Sequence, residues 1–91
     1  MIVRVAMFDA APAEWTGPQF DDFRKWMASQ PGFVTGQHLK NPATGAGMSI
    51  SYWRSHQDMA AMKNRSFPGG PMGIHPRSVD VWETLGEFET R

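Results

Sequence analysis

A chain of 91 residues allows one domain with a thin hydrophobic core, so we expect a single domain over residues 1–91. Nine basic and nine acidic residues cancel, which argues against nucleic acid and membrane lipid as partners. The absence of cysteine excludes a disulfide framework, a thiol nucleophile and a thiolate metal site. No secretion signal or membrane-length apolar run is visible, so we expect a cytoplasmic protein.

The first third of the chain is predicted to form a strand, a helix and a sharp turn. Residues 2–8 (IVRVAMF) are apolar on both faces, which predicts a strand covered on both sides. Apolar residues then recur at helical spacing from Phe20, with Pro18 in the first turn and Thr16 as the expected N-cap. Pro31 ends this helix, because a proline disfavours the α conformation in the residue before it. Phe33 follows at the head of the next strand, where we expect it in the core.

A hairpin and a second helix are predicted next. Residues 33–40 and 48–54 have strand composition and are joined by the turn-rich segment 41–47, a connection typical of antiparallel strands. Ser55 and Asp58 have the spacing of an N-cap motif and predict a helix start.

The C-terminal part combines an irregular loop with a last strand. Residues 67–77 are rich in Gly and Pro, which predicts a long loop. Residues 78–89 alternate between apolar and polar side chains and predict a strand.

The resulting order β-α-β-β-α-β is that of ferredoxin-like α+β folds, with an antiparallel sheet and both helices on one face. Strands one and three carry apolar side chains on both faces, so the face without helices also needs a cover. A second copy of the chain is the expected cover, and we therefore predict a homodimer packed sheet to sheet.

Two short motifs resemble the antibiotic-biosynthesis-monooxygenase superfamily, whose members are dimeric α+β barrels. In that family a Pro-Gly-Phe lies between the first helix and the second strand, as residues 31–33 do here. A Trp ends the third strand in that family, as Trp53 does in the YWRS of residues 52–55. The resemblance in element order covers essentially the whole chain. It implies a cofactor-independent monooxygenase that acts on a small aromatic or polyphenolic substrate with O₂.

Two other functions stay open under this resemblance. One is a non-enzymatic small-molecule-binding or interaction module of the dimeric α+β barrel type. The other, ranked third, is haem degradation. Haem-degrading relatives use an Asn in the first strand, the Trp that ends the third strand and a His along the second helix. Trp53 matches, but the first strand here has no Asn and the second helix has only His56, at its start.

The three histidines are the candidate titrating groups, because imidazole titrates near neutrality. His38 is expected on the face shared by Val34 and Gly36, either projecting into a pocket as a catalytic base or lying at a partly exposed strand or dimer position. His75 is the second candidate base, because loops on a rigid scaffold often hold functional groups. His56 is expected on the surface. These scattered histidines form no metal motif, so we expect no metal and no cofactor.

An aromatic and thioether pocket is predicted for the substrate. A cavity with such walls and a few polar groups suits a planar aromatic molecule, although each side chain also fits as core or interface filler. A cofactor-independent oxygenase needs a dry pocket, a base and groups that stabilise the substrate anion. The candidate donors are Tyr52, Trp53 and Arg54, and Trp53 is favoured because it stands at the position that the family resemblance implies. The candidate pocket residues are Trp26, Trp53, Met59, Met62 and Trp82.

Overall fold

The computed structural model describes residues 1–70 and 74–90, so Pro71–Gly73 of the predicted loop lie outside the described residues. In the described part, four strands form one antiparallel sheet in the order β2-β3-β1-β4. The elements are β1 (Ile2–Phe8), a 3-10 turn (Ala13–Thr16), α1 (Pro18–Ala28), β2 (Phe33–Lys40), β3 (Gly47–Trp53), α2 (His56–Ala61), a second 3-10 turn (Met62–Asn64) and β4 (Ser78–Glu83). This is the predicted ferredoxin-like α+β fold. None of the described helices is long and apolar enough to span a bilayer.

The strand register divides the sheet into a helix-covered face and an open face. Ala6 and Phe8 of β1 are buried in one cluster with Trp15 and with Phe20 of α1, so their side of the sheet is the covered one. Residues between them in β1, such as Met7, lie on the open face.

A β-bulge at the start of β2 alters the faces that simple alternation predicts. The pairing shifts between Phe33 and Thr35, so Phe33 and His38 both lie on the covered face while Val34 falls within the irregularity. The Phe33 ring packs edge-to-face on Trp53, with ring centroids 5.4 Å apart. It also leans over Gly36, where an added Cβ would lie 3.2 Å from the ring. Phe33 is half-buried at the edge of the core, less deeply than predicted.

The two helices begin in different ways. Gly17, not Thr16, precedes α1, and no side chain caps its first turn. The Thr16 hydroxyl instead donates to the carbonyl of Ala13, at 3.0 Å, within the preceding 3-10 turn. The predicted cap of α2 is confirmed, because Ser55 Oγ accepts from the Asp58 N–H at 3.1 Å.

The last strand is shorter than predicted and ends at Glu83. Glu83 pairs with Ile2, the first residue of β1, and the Thr84 N–H still donates to the Met1 carbonyl at 2.9 Å, after which β1 offers no further partner. Leu85 and Phe88 are consequently 95% and 99% exposed.

Candidate functional site

A cleft lies between α1 and the covered face of the sheet. It has three lobes of about 760, 620 and 260 Å³. We name them the tryptophan lobe (with Trp26 and Trp53), the strand lobe (along β2, with Gly36) and the inner lobe (against Phe8). Arg4 of β1 and Phe23 of α1 line all three, so the lobes meet at these two side chains.

Four of the five predicted pocket residues meet in the tryptophan lobe. They are Trp26, Trp53, Met59 and Met62. The loop contributes as well, because Phe67 lines this lobe and its ring lies tilted against Trp26, with ring centroids 5.8 Å apart. The structure corrects the placement of Trp82, which pairs with Val3 on the open face and is 60% exposed. Its face is set by the pairing of β4 with β1, which the local sequence pattern does not encode.

Trp53 is the most deeply buried large side chain of the described residues, 1% exposed. Its indole N–H donates to Ser51 Oγ at 2.9 Å, so this N–H is already occupied and is not free to bind a substrate anion. The Ser51 hydroxyl keeps its own proton for donation, and Ser51 lines both the tryptophan and strand lobes. Of these two side chains, only Ser51 therefore has a proton left to donate.

His38 lies in the strand and inner lobes, as its predicted pocket position requires. Its ring sits against Trp15, with centroids 4.7 Å apart, and its Nδ1 accepts a hydrogen bond from Arg24 Nε at 3.1 Å. Burial, together with the positive charge of Arg24, lowers the pKa of His38 from 6.5 to about 4. The imidazole is therefore neutral at pH 7, with its proton on Nε2. It suits hydrogen-bond donation from Nε2, whereas acting as a base through Nδ1 requires breaking the Arg24 contact.

Arg24 is held firmly in this position. Besides His38, it donates to the backbone carbonyl of Trp15 at 2.7 Å and pairs with the exposed Asp21 at 3.4 Å. Its guanidinium also lies 5.0 Å from the centre of the Phe20 ring. These contacts fix the His38 tautomer from the side of α1.

The other two histidines lie elsewhere. His75 is exposed and lines a surface depression of about 420 Å³ with Asp9 and Arg77. This depression adjoins the inner lobe through Phe8, Ile74 and Pro76, but His75 does not itself line the cleft. The structure therefore does not bring His75 together with His38. His56 is exposed at the first residue of α2, as predicted.

Arg4 is the residue of the cleft to which sequence reasoning gave no role. It lies on the covered face of β1, opposite Ser51 of β3, and burial lowers the pKa of its guanidinium. Within residues 1–70 and 74–90, no ion pair joins its side chain to a carboxylate. The signal in the sequence was a single cation among the apolar side chains of IVRVAMF, on the face shared with Ala6 and Phe8.

The charge in the cleft is one-sided. Its described lining contains four basic side chains and no carboxylate. The basic residues are Arg4, Arg24, Lys63 and Arg65. In the part of the chain that the structure describes, no group of three or more His, Asp or Glu side chains is placed to hold a metal ion. The polar groups of the cleft thus favour an anionic organic ligand.

No protein-family model matches the sequence, and no curated protein does. Solved structures share the fold. SnoaB, a cofactor-independent oxygenase from Streptomyces nogalater, superposes with a TM-score of 0.71 at 16% identity, covering 98% of this chain and 97% of its own. The monooxygenase of ActVA-Orf6 from Streptomyces coelicolor, in complex with nanaomycin D, superposes with a TM-score of 0.62 at 19% identity, covering 99% of this chain and 92% of its own. The haem-degrading protein Rv3592 from Mycobacterium tuberculosis superposes with a TM-score of 0.60 at 19% identity, covering 97% of this chain and 98% of its own.

These comparisons define the class of the fold. It is the ferredoxin-like α+β fold of antibiotic-biosynthesis-monooxygenase-type proteins, and it extends over nearly the whole of each chain. The resemblance predicted from residues 31–33 and Trp53 is therefore confirmed for the fold.

Proposed function

We propose that this protein is a cofactor-independent monooxygenase that oxidises a small aromatic or polyphenolic substrate with O₂ in the cleft. The observation that carries the proposal is one cleft with aromatic and thioether walls, whose lining also includes two residues with a proton to donate, His38 at Nε2 and Ser51 at Oγ. The fold shared with SnoaB and ActVA-Orf6 supports the same function.

In this reaction the protein positions the substrate, stabilises its anion and excludes water. An electron-rich ring with an acidic ring CH₂ loses a proton, and the resulting anion gives an electron to O₂. The substrate radical and superoxide combine to a peroxide, which loses water and leaves a carbonyl. The carbon supplies all four electrons, CH₂ + O₂ giving C=O + H₂O, so no external reductant is needed. The donors of the cleft stabilise the anion, and the apolar walls exclude water.

The reaction also needs a base that accepts the substrate proton. His38 and His75 were both predicted for this role, and of the two only His38 lines the cleft. For His38 to act, its Nδ1 must first be released from Arg24.

Oxygen uptake with dithranol, an anthrone with an oxidisable ring CH₂, tests the function. We expect wild-type protein to accelerate uptake, with one O₂ consumed per substrate. Two replacements of His38 then distinguish its roles. His38→Gln keeps an N–H donor, whereas His38→Leu keeps neither donor nor base, so a donor role predicts that only the Leu variant loses most activity. His75→Gln is the control and should retain wild-type rates.

Uptake no faster than the protein-free rate, from folded protein and across several anthrones and quinols, would refute the monooxygenase. The non-enzymatic binding module would then be favoured if the same compounds bind in the cleft without O₂ consumption.

Haem degradation fits the described residues less well. His56 is exposed at the start of α2, away from the lining of the cleft. In the cleft itself, iron ligation by His38 Nε2 would require the proton on Nδ1, which faces the Arg24 N–H at 3.1 Å. The Nδ1–H of His38 and the Nε–H of Arg24, both hydrogen-bond donors, would then face each other. A Soret shift to a histidine-ligated spectrum on titration with haem would contradict this reasoning.

We also propose that a second copy of the chain covers the open face. Leu39 and Trp82 on that face are 42% and 60% exposed, and the residues after β4 expose Leu85 and Phe88 as well. Exposed apolar side chains of this number are typical of an interface. Sedimentation at micromolar protein should give a dimer that Trp82→Glu weakens, while Gln19→Glu on the exposed side of α1 does not. A wild-type monomer under these conditions would exclude the dimer.

A further inference from the structure

We propose that the ligand of the cleft is an aromatic carboxylate and that Arg4 binds its carboxylate group. This inference rests on the proposed function in one respect, namely that the cleft is the ligand site.

The first support is the position of Arg4 where the three lobes meet. Its cross-strand neighbours are Ser51 of β3 and Val81 of β4, and its side chain lines every lobe together with Phe23. A ligand in any part of the cleft therefore lies near this guanidinium.

The second support is the lack of an internal partner. A partly buried cation loses hydration, and proteins normally compensate by pairing it with a carboxylate. Among the described residues Arg4 has no such partner, although Arg24 and Arg77 each have one, Asp21 and Asp9. An aliphatic side chain would fill the same position without this cost. The guanidinium is therefore best explained by an anion that arrives with the ligand.

The third support is the chemistry around Arg4. The neighbouring Ser51 hydroxyl and the Nε2–H of His38 are donors, and the remaining charged groups of the described lining are cations. A carboxylate accepts two parallel hydrogen bonds from a guanidinium, which neither a hydroxyl nor a carbonyl group can match. Phe23 beside Arg4 and Trp26 in the tryptophan lobe offer flat surfaces for the ring. The volume of that lobe, about 760 Å³, lies within the usual range of small-molecule sites.

The test uses two probes that share a ring and differ in charge. Calorimetric titration compares 2-naphthoate with 2-naphthalenemethanol, which carries CH₂OH in place of the carboxylate. A charge-assisted hydrogen bond to a charged group contributes about 1.5–3 kcal/mol, so we expect wild-type protein to prefer naphthoate by roughly 10–100-fold.

Substitution of Arg4 should remove this preference. Arg4→Met keeps the length of the aliphatic stem, so it should lower naphthoate affinity to that of the alcohol and leave the alcohol unchanged. Arg4→Lys keeps the positive charge but cannot donate two parallel hydrogen bonds, so it should give an intermediate preference for naphthoate. The Lys variant also tests the role of Arg4 if the Met variant fails to fold. Arg54→Gln is the control, because Arg54 follows directly after β3, is exposed and does not line the cleft.

The outcomes separate this inference from the proposed function. Equal affinity for both probes, binding of neither by folded wild-type protein, or a preference that survives in folded Arg4→Met would overturn the role of Arg4. Oxygen uptake with dithranol, which has no carboxylate, is measured separately. Uptake without a naphthoate preference leaves the monooxygenase standing and refutes the inference, whereas a preference lost in Arg4→Met without uptake supports the inference and refutes the monooxygenase.

Discussion

Replacing His38 should change how the stability of the protein depends on pH. The folded state holds His38 neutral, since burial and Arg24 lower its pKa to about 4, whereas the unfolded chain protonates it near 6.5. Between these values the unfolded state binds more protons than the folded state. The free energy of unfolding therefore falls as the pH drops through 6.5, and the loss is complete near pH 4.

The size of this loss follows from the two pKa values. A difference between 6.5 and about 4 corresponds to ~3 kcal/mol if it is expressed in full. Water in the cleft reaches the half-buried imidazole and screens the Arg24 charge, so we expect a loss of about 1–3 kcal/mol. Acidification also places two hydrogen-bond donors against each other, because a protonated Nδ1 of His38 would face the Nε–H of Arg24.

Urea unfolding of wild type and His38→Leu, followed by tryptophan fluorescence from neutral pH down to about pH 4.5, measures this effect. Carboxylates titrate in both proteins, so the difference between the two pH profiles isolates His38. We expect wild type to lose about 1–3 kcal/mol more than the variant on acidification. The exposed His75→Gln should follow the wild-type profile. Parallel profiles for wild type and His38→Leu would refute a buried, neutral His38 and with it the donor role.

Three further changes test the local structure by unfolding measurements. Gly32→Ala should cost more than ~2 kcal/mol, because Gly32 has φ of 80° and an added Cβ would meet the Asp58 side chain; an unchanged midpoint would contradict this turn geometry. Ser55→Ala should cost about 1 kcal/mol through loss of the α2 cap, with Ser55→Thr as the tolerated control. Trp53→Phe should cost about 1–3 kcal/mol, from lost volume and the lost bond to Ser51, and a neutral result would mean that Trp53 is not buried.

The elements that the sequence predicted best are those with local signals. β1 has the predicted bounds because apolar and β-branched residues fill it from Ile2 to Phe8. The start of α2 is encoded in the three-residue step from Ser55 to Asp58. The end of α1 at Ala28 agrees with the restriction that Pro31 places on the residue before it.

The parts that sequence reasoning missed depend on contacts between distant residues. Trp15 lies in a Pro/Gly-flanked segment that looks like a turn, yet it is buried because Phe8 packs against it at 5.1 Å. Trp82 was assigned to the pocket, but pairing with Val3 directs it to the open face. The neutral state of His38 depends first on its burial in the cleft and then on the charge of Arg24, fourteen residues earlier in the chain and on a different element. None of these contacts leaves a periodic signal.

The distribution of charge explains how a neutral chain can hold a cleft for an anion. Overall neutrality limits attraction over distances beyond the Debye length, roughly 8–10 Å in physiological salt, and so argues against polyanionic partners. Overall neutrality does not prevent attraction between a cation in the cleft and an anion that lies closer to it than the Debye length. The acidic residues lie outside the described lining of the cleft, and one of them, Asp21, engages the outer side of Arg24. Arg4 has no such counter-charge among the described residues. A small carboxylate within the cleft therefore meets an uncompensated cation where screening is weak, while a polyanion outside meets a surface with little net charge.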